Sequence, residues 1–169
     1  PRVHRWLSEN QERNDLICEV IDKCLAEGRK VYALSHSVQH VEELHRRYPT
    51  STLIHGKVAS DQRLDRLHGS NLVFATMGVG KEAYNRKDLD TLLLLTPFAA
   101  HSHAAIAFDQ SVGRIQRSSP GKKDPKVFLF LDSDIPICRG MVFSLVSHAK
   151  KKGFPIAGEK RHKKKSRWG

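Results

Sequence analysis

The segment VYALSHSVQHVEELHRR, residues 31–47, passes from a buried strand into an amphipathic helix. Its first part, with the preceding lysine, reads KVYALS over residues 30–35. This short, nearly continuous apolar run is typical of a strand buried on both faces. Ser37 is a suitable N-cap for the following helix, whose apolar residues recur at helical spacing until Pro49 ends it. The segment therefore predicts one strand–helix unit of a two-sided sheet.

The same alternation of helices and strands continues along the chain. Further helices are predicted over residues 14–27, 60–67, 102–116 and 137–152, and further strands over residues 51–55, 71–76, 91–96 and 126–131. Strands that alternate with helices indicate an α/β fold with a parallel sheet. In such sheets functional residues gather where the strands end, so the residues directly after each apolar run are the first candidates for a site.

Charge is distributed unevenly over the 169 residues. Residues 150–169 contain nine Lys or Arg and one Glu, net +8, out of a formal total of +11. We therefore predict one domain over residues 1–152 and a basic, flexible tail over residues 153–169. A tail of this kind attracts phosphate backbones, and the alternative is a solvated segment that only keeps the protein soluble.

The chain carries no recognisable targeting signal. Polar and basic residues occupy its start, and no apolar run approaches the roughly 20 residues that a membrane span needs. These features predict an intracellular protein without a membrane partner. The first residue is proline, which suggests a fragment of a longer protein.

A glycine-rich turn interrupts residues 74–97, FATMGVGKEAYNRKDLDTLLLLTP. A buried strand ends there in Thr76, Gly78 and Gly80. Exposed peptide N–H groups beside a hydroxyl suit a phosphate, although glycine also serves ordinary turns. The turn is therefore a candidate phosphate-binding element.

The segment QSVGRIQR, residues 110–117, places two arginines three positions apart. Arg114 and Arg117 share one helix face if the helix extends that far. Two guanidinium groups so close repel each other unless an anion lies between them. Gly113 permits close approach and Gln110 adds an amide on the same face. The segment predicts an anion-binding helix end, and an exposed basic helix end is the alternative.

These segments resemble, in order and spacing, the conserved motifs of superfamily-two helicases. Residues 31–47 look like the fourth motif, residues 74–97 like the fifth and residues 110–117 like the sixth, and residues 54–67 are similar to a strand–turn–helix that the family has between the fourth and fifth. The resemblance covers residues 14–152 and is greatest to phage- and virus-type DNA helicases. It implies a RecA-like three-layer domain with a parallel central sheet and helices on both faces.

The resemblance also implies functional roles. The chain would be the second of two RecA-like domains, with ATP and Mg²⁺ held mainly by a preceding N-terminal domain. The arginine fingers that reach the γ-phosphate would be Arg117 and Arg114, with Gln110 near them. Residues implied to lie near the nucleotide are Gly80, Glu82, Asn85 and Gly113. Residues implied to contact nucleic-acid backbone, with DNA favoured over RNA, are Ser35, His36, Gly56, Lys57, Thr76 and Met77.

The chain departs from the family's pattern in two respects. Residues 82–85 read EAYN where the family has EG-x-D. Alanine therefore replaces the glycine and asparagine replaces the aspartate, so the contact of Asn85 with the nucleotide ribose is in doubt. The chain also contains no GxxxxGK[ST] loop and no DExx box, which hold phosphate and magnesium. We therefore expect that this chain alone does not hydrolyse ATP.

Three other features of the sequence could carry a function. Asp132 and Asp134 follow a predicted strand, as in a magnesium-dependent phosphotransferase. Several histidines suggest metal binding, but none is spaced for a complete ligand set, so we predict no metal site: His36, His40, His45, His101 and His103. The basic tail could also make the chain a module that binds nucleic acid or a partner.

Overall fold

The computed structural model describes residues 2–56, 69–77, 79, 86–100 and 103–158. Within these residues the helices are α1 (Arg2–Glu9), α2 (Gln11–Ala26), α3 (Val38–Arg47), α4 (His103–Ile115) and α5 (Pro136–Lys151). The strands are β1 (Val31–Ser35), β2 (Thr52–Ile54), β3 (Leu72–Thr76), β4 (Thr91–Leu94) and β5 (Lys126–Leu129). The helix predicted over residues 60–67 lies outside the described residues.

The five strands form one parallel sheet in the order β2-β3-β1-β4-β5. β1 lies at its centre, where Val31 pairs with Leu72 of β3 and Thr91 of β4. Because parallel strands begin at one edge and end at the other, the sheet has an amino edge, where its strands begin, and a carboxyl edge, where they end. All residues of β1, β3 and β4 are buried, as the continuous apolar runs predict.

Two hydrophobic clusters lie on opposite faces of the sheet. One contains side chains of β1 and β4 packed against α4 and α5, including Tyr32, Leu34, Leu92, Phe108 and Leu145. The other contains the alternate side chains of the same strands packed against α2 and α3, including Val31, Ala33, Ile17, Val41 and Leu93. Successive strand residues point to opposite faces, so one run of sequence supplies both clusters. The predicted three-layer α/β fold is confirmed.

Local signals place the ends of the helices. The Asn10 side chain caps α2 by accepting a hydrogen bond from the Arg13 N–H at 3.0 Å. Ser37 caps α3, as predicted, by accepting from the His40 N–H at 3.3 Å. Gly28 follows α2 with a φ of 71°, a conformation that glycine adopts without strain. These caps fix the points at which the chain enters and leaves β1.

Helix α1 was not predicted from the sequence. Its apolar residues are few: Leu7 is fully buried, Val3 is half-buried and Trp6 is 52 % exposed. The helix is also held by long-range contacts. The His4 ring, for example, lies with its Nε2 3.0 Å from the Pro97 carbonyl oxygen after β4. A helix this short depends on such packing because isolated helices below about 12 residues are marginal.

The chain continues beyond α5 along the body of the domain. Gly153 adopts a φ of 82°, and the Phe154 N–H donates to the Ala149 carbonyl at 3.1 Å. The Phe154 ring then packs against the hydrophobic cluster of α4 and α5. Residues 159–169 lie outside the described residues, so the domain boundary at residue 152 and the flexibility of the tail stay predictions. In the described part of the chain, no helix is both long and apolar enough to cross a membrane.

Candidate functional site

His36 is an exposed aromatic residue at the carboxyl edge, directly after β1. Its Nδ1 lies 2.9 Å from the Thr96 hydroxyl, and its ring stacks on His4 with centroids 4.7 Å apart. Phe98 meets the ring edge-on at 5.5 Å. Desolvation by these neighbours, followed by repulsion from His4, lowers the pKa of His36 to about 4. At neutral pH, His36 therefore offers this edge a hydrogen-bonding ring without a positive charge.

A buried polar network lies behind His36. The imidazole of His40 is fully buried, with Nδ1 3.1 Å from the Ser35 hydroxyl and Nε2 2.9 Å from the Asn14 side-chain oxygen. Ser35 Oγ also accepts from the Ser37 N–H at 3.1 Å. These partners fit a neutral His40 that donates from Nε2 and accepts at Nδ1. Desolvation, with a further contribution from Arg13, lowers the pKa of His40 to about 3.

The predicted nucleic-acid residues differ in accessibility. Ser35 is buried and its hydroxyl is engaged in the network, and Thr76 is also buried. Met77 is half-buried and donates its N–H to the Ser35 carbonyl at 3.0 Å. His36 and Gly56 are exposed, and Lys57 lies outside the described residues. The nucleic-acid assignments stay predictions, and His36 and Gly56 are the described members with the most accessible surface.

Arg114 and Arg117 lie in different environments. Arg114 is on the last turn of α4 and is only 4 % exposed, and its Nη1 donates to the Tyr32 hydroxyl at 3.3 Å. Arg117 lies beyond the end of α4 and is exposed, with its N–H 3.4 Å from the Arg114 carbonyl. The two side chains therefore do not project together from one helix face, because α4 ends between them.

Arg117 follows a row of exposed residues on α4. Gln110, Gly113 and Arg117 are all exposed, and Ile106, one turn earlier on the same side, is 55 % exposed. A Cβ added to Gly113 would meet no other described atom within 4 Å. We call the surface of Ile106, Gln110, Gly113 and Arg117 the α4 stripe. It offers a guanidinium group, an amide and an open backbone position to a group outside the domain.

The backbone of Arg117 is held at the amino edge of the sheet. Helix α4 runs antiparallel to β4, so its end returns to the edge at which the strands begin. The Lys122 ammonium group donates to the Arg117 carbonyl at 2.6 Å and to the Lys87 carbonyl at 2.9 Å, and Lys87 precedes β4. Desolvation lowers the pKa of Lys122 despite nearby carboxylates. The predicted finger is therefore at the opposite edge of the sheet from His36.

A charged network surrounds this amino edge. Arg86 donates from Nε and Nη2 to the two carboxylate oxygens of Asp88, at 2.7 and 2.9 Å. Lys30 donates to the same carboxylate at 2.9 Å. The hydrogen bonds from Arg86, reinforced by Lys30, hold the pKa of Asp88 well below its usual range. This network fixes the segment before β4 against the start of β1. Gly80, Glu82 and Asn85, which precede it in sequence, lie outside the described residues.

The aspartates after β5 have structural partners. Asp132 accepts from Arg13 Nε at 2.8 Å, and both side chains are largely buried. The Arg13 guanidinium group lies 5.8 Å from the centre of the Phe130 ring. Asp134 is exposed, and its neighbour in the described part of the chain is the Ser133 hydroxyl at 3.4 Å. The ion pair explains Asp132 as a link between α2 and β5, which weakens the argument for a phosphotransferase site.

Histidine, cysteine and carboxylate side chains do not gather into a metal site in the described residues. His148 pairs with Asp109 at 2.8 Å, and His45 lies 2.7 Å from the Ser51 hydroxyl. His101 is outside the described residues. His36, His40, His45 and His148 therefore have ordinary hydrogen-bonding roles.

Sequence reasoning missed the residues that hold Arg117. Lys122, Lys87 and Arg86 carry no motif, and their partners are far away in sequence. One signal was available: the Pro120-Gly121 pair predicts a tight turn after Arg117, and such a turn folds the following residue back. The partnership of Arg114 with Tyr32, 82 positions away, had no signal in the sequence.

No protein-family model matches the chain, and no curated protein matches it. Solved structures do resemble it. The structure of T4 UvsW matches with a TM-score of 0.65 and 15% identity, over 89% of this chain and 35% of that one. Domain 2 of the DEAD-box helicase Mss116p, bound to an RNA duplex, matches with a TM-score of 0.56 and 14% identity, over 87% and 57%.

The helicase domain of Hef from Pyrococcus furiosus also matches, with a TM-score of 0.54 and 19% identity, over 80% of this chain and 28% of that one. The chain shares the fold of these helicase domains, a parallel α/β sheet with helices on both faces, and this is the fold that the sequence resemblance implies. The chain spans between about a quarter and three-fifths of the length of these structures.

Proposed function

We propose that this chain is the C-terminal RecA-like domain of an ATP-dependent superfamily-two helicase or translocase. The α4 stripe carries the proposal. It presents the QxxGRxxR residues Gln110, Gly113 and Arg117 outward, beside an exposed isoleucine, so they face a partner instead of their own sheet. The partner would be an N-terminal RecA-like domain that supplies the phosphate-binding loop and acidic box absent from this sequence.

The residues of the α4 stripe fit a nucleotide held between two domains. Bound ATP would supply a γ-phosphoryl group whose negative charge develops during transfer, and an arginine from a neighbouring domain stabilises such charge. Arg117 is the exposed guanidinium group that can serve, and Gly113 leaves open space for close approach. Arg114 is buried and its guanidinium group donates to the Tyr32 hydroxyl. Mg²⁺ would be held mainly by the partner domain.

The carboxyl edge is the proposed nucleic-acid path. His36 and Gly56 offer the accessible surface there, with Thr76 and Met77 behind them and Lys57 next in sequence. A neutral, hydrogen-bonding surface suits contacts to backbone phosphates that carry no sequence information. The motif resemblance favours DNA over RNA and a phage- or virus-type helicase. These assignments rest on the resemblance and on the fold shared with helicase domains.

The proposal is tested by Arg117→Ala in the protein that joins this chain to its phosphate-binding-loop domain. We expect kcat for nucleic-acid-stimulated ATP hydrolysis to fall about 10³- to 10⁵-fold, because an arginine finger contributes on that order. The dissociation constant for single-stranded DNA should change less than about twofold. Lys123→Ala, an exposed basic residue six positions on, is the matched control and should hydrolyse ATP normally. Near-normal turnover by Arg117→Ala would exclude this function.

A second candidate function is nucleic-acid binding through the basic tail. The observation that favours it is the net charge of +8 in residues 150–169. Because Phe154 packs on the body of the domain, the truncation should begin after Gly158. It removes six Lys or Arg, so the slope of log affinity against log salt should become shallower by up to about 4 for single-stranded DNA. An unchanged affinity and slope would exclude the tail.

A further inference from the structure

A tight turn follows Arg117 and returns the chain toward it. Pro120 and Gly121 occupy its two central positions, Gly121 has a φ of 71°, and the Lys122 N–H donates to the Ser119 carbonyl at 3.2 Å. These features define a type II turn, in which proline suits the first central position and glycine the second. The turn explains how the side chain of Lys122 reaches back to the peptide of Arg117.

The Lys122 ammonium group joins two segments of the chain. It donates to the carbonyl of Arg117 at 2.6 Å and to that of Lys87 at 2.9 Å. Arg117 lies beyond the last residue of α4, and its N–H donates to the Arg114 carbonyl at 3.4 Å. The shorter bond from Lys122 is a direct restraint on the Arg117 carbonyl. A charged donor makes shorter and stronger hydrogen bonds than a neutral one.

The second carbonyl belongs to a rigid part of the domain. Lys87 lies between Arg86 and Asp88, which are joined by two hydrogen bonds. The Asp88 carboxylate also accepts from Lys30, next to β1. Arg86 further donates to the Ser70 carbonyl before β3, at 2.9 Å. The Lys87 peptide is thereby fixed to the starts of several strands. Because the Lys122 side chain also binds the Arg117 carbonyl, it holds that carbonyl in place relative to the Lys87 peptide.

We propose that Lys122 is a positioning residue for Arg117: it fixes the Arg117 peptide against the segment before β4, so that the exposed guanidinium group points in one direction. This inference rests on the proposed function, since it gives Lys122 a part in the same reaction.

The structural part of the proposal can be tested in this chain alone. Backbone ¹⁵N relaxation would be measured for the Lys122→Met variant and for Lys123→Met as the matched control. We expect the order parameter of the Ser118 amide, whose N–H shares a peptide with the Arg117 carbonyl, to fall from about 0.85, typical of rigid backbone, to below about 0.6 in Lys122→Met only. An unchanged order parameter in Lys122→Met would overturn the proposal.

The functional part uses the protein that includes the phosphate-binding-loop domain. For Lys122→Met we expect kcat to fall about 10- to 100-fold with KM for ATP within about twofold of wild type, because displacing a catalytic group by about 1 Å costs on that order. A loss of folding would lower kcat and the amount of soluble protein together. Normal kcat in Lys122→Met beside an inactive Arg117→Ala would overturn this proposal and leave the proposed function intact. Normal kcat in Arg117→Ala would overturn both.

Discussion

The two edges of the sheet differ in how they hold polar groups. At the carboxyl edge, His36 and His40 are kept neutral by packing and by hydrogen bonds to hydroxyl and amide groups. At the amino edge, Arg86, Lys30 and Asp88 are charged and paired. A neutral surface suits weak contacts, such as those proposed here for a nucleic-acid backbone. A charged frame suits one anion held in a defined place.

This difference between the two edges bears on where functional sites can lie in this fold. Polar residues after parallel strands gather at the carboxyl edge, and His36 and Gly56 follow that rule. Arg117 does not, because α4 runs back across the sheet and releases the chain at the opposite edge. The 13 residues of α4 span about 20 Å. One rigid helix therefore separates the proposed nucleic-acid contacts from the proposed nucleotide contact.

The largest expected effect is the loss of stability in acid through the carboxyl edge. The pKa of His40 is lowered to about 3 in the folded state, so between pH 6.5 and 3 the unfolded chain binds a proton that the folded chain does not. The free energy of unfolding should fall with pH through this window, by about 3 kcal/mol at pH 4 from His40 alone. His36 should act in the same direction. Urea unfolding at several pH values measures the slope.

His40→Gln provides the comparison for this titration. The variant lacks the buried imidazole. The slope of its unfolding free energy against pH between 6.5 and 4 should therefore be smaller, by the amount that corresponds to about one bound proton. It should also be less stable at pH 7, because Ser35 or Asn14 loses a buried partner, at a cost of about 1–3 kcal/mol. Identical pH slopes for wild type and variant would show that His40 is not the titrating group.

The next effect concerns the buried arginine of the amino edge. Tyr32→Phe removes the hydroxyl that accepts from Arg114 Nη1, and should lower the free energy of unfolding by about 1.5–3 kcal/mol, the range for a hydrogen bond to a charged group. The loss should be the same at pH 7 and pH 5, unlike that of His40→Gln. Denaturant unfolding at both pH values checks this, and a pH-dependent loss would contradict it.

A smaller effect is expected for the charged pair before β4. Asp88→Asn should cost about 1 kcal/mol at pH 7, since the carboxylate side chain is 31% exposed and solvent screens it. The pKa of Asp88 is depressed in the folded state, so its contribution is present above about pH 4 and is lost as pH falls below that. Added salt should reduce the difference between wild type and variant. Thermal unfolding at two salt concentrations would measure this.

The smallest effect has the opposite sign. Gly113→Ala should stabilise the chain by about 0.5–1 kcal/mol, because alanine favours helix over glycine and its Cβ meets no other described atom. In the protein with both domains the same variant should lower ATP turnover, since the added methyl group occupies the open position of the α4 stripe. A stabilised variant with normal turnover would indicate that nothing approaches Gly113.

Much of the fold could be predicted because local signals agreed with it. The apolar runs of β1, β3 and β4 marked fully buried strands, and Ser37 marked the start of α3. Helix α1 was not predicted, since it has only eight residues and its contacts, such as that of His4 with the Pro97 carbonyl, are to distant parts of the sequence. β5, at the end of the sheet, is half exposed although its sequence resembles that of a buried strand.

The residues of the candidate site are proposed from sequence motifs, and their surroundings could not be predicted. The spacing of Arg114 and Arg117 predicted a common face, whereas α4 ends at Ile115 and leaves one side chain buried and the other exposed. Spacing cannot reveal such a division, because it depends on where the helix stops and on Tyr32 from a remote strand. The partners of Lys122 are likewise set by tertiary structure.

The length of α4 limits how the two edges can influence each other. At physiological ionic strength, electrostatic interactions are screened over about 8 Å, and the helix is more than twice that long. A phosphate arriving near Arg117 would scarcely alter the potential felt at His36. Any coupling between the two edges would have to be mechanical, through a tilt or a shift of α4 against the sheet. Mutations that loosen the packing of α4 should therefore uncouple the two edges while leaving the structure of each edge intact.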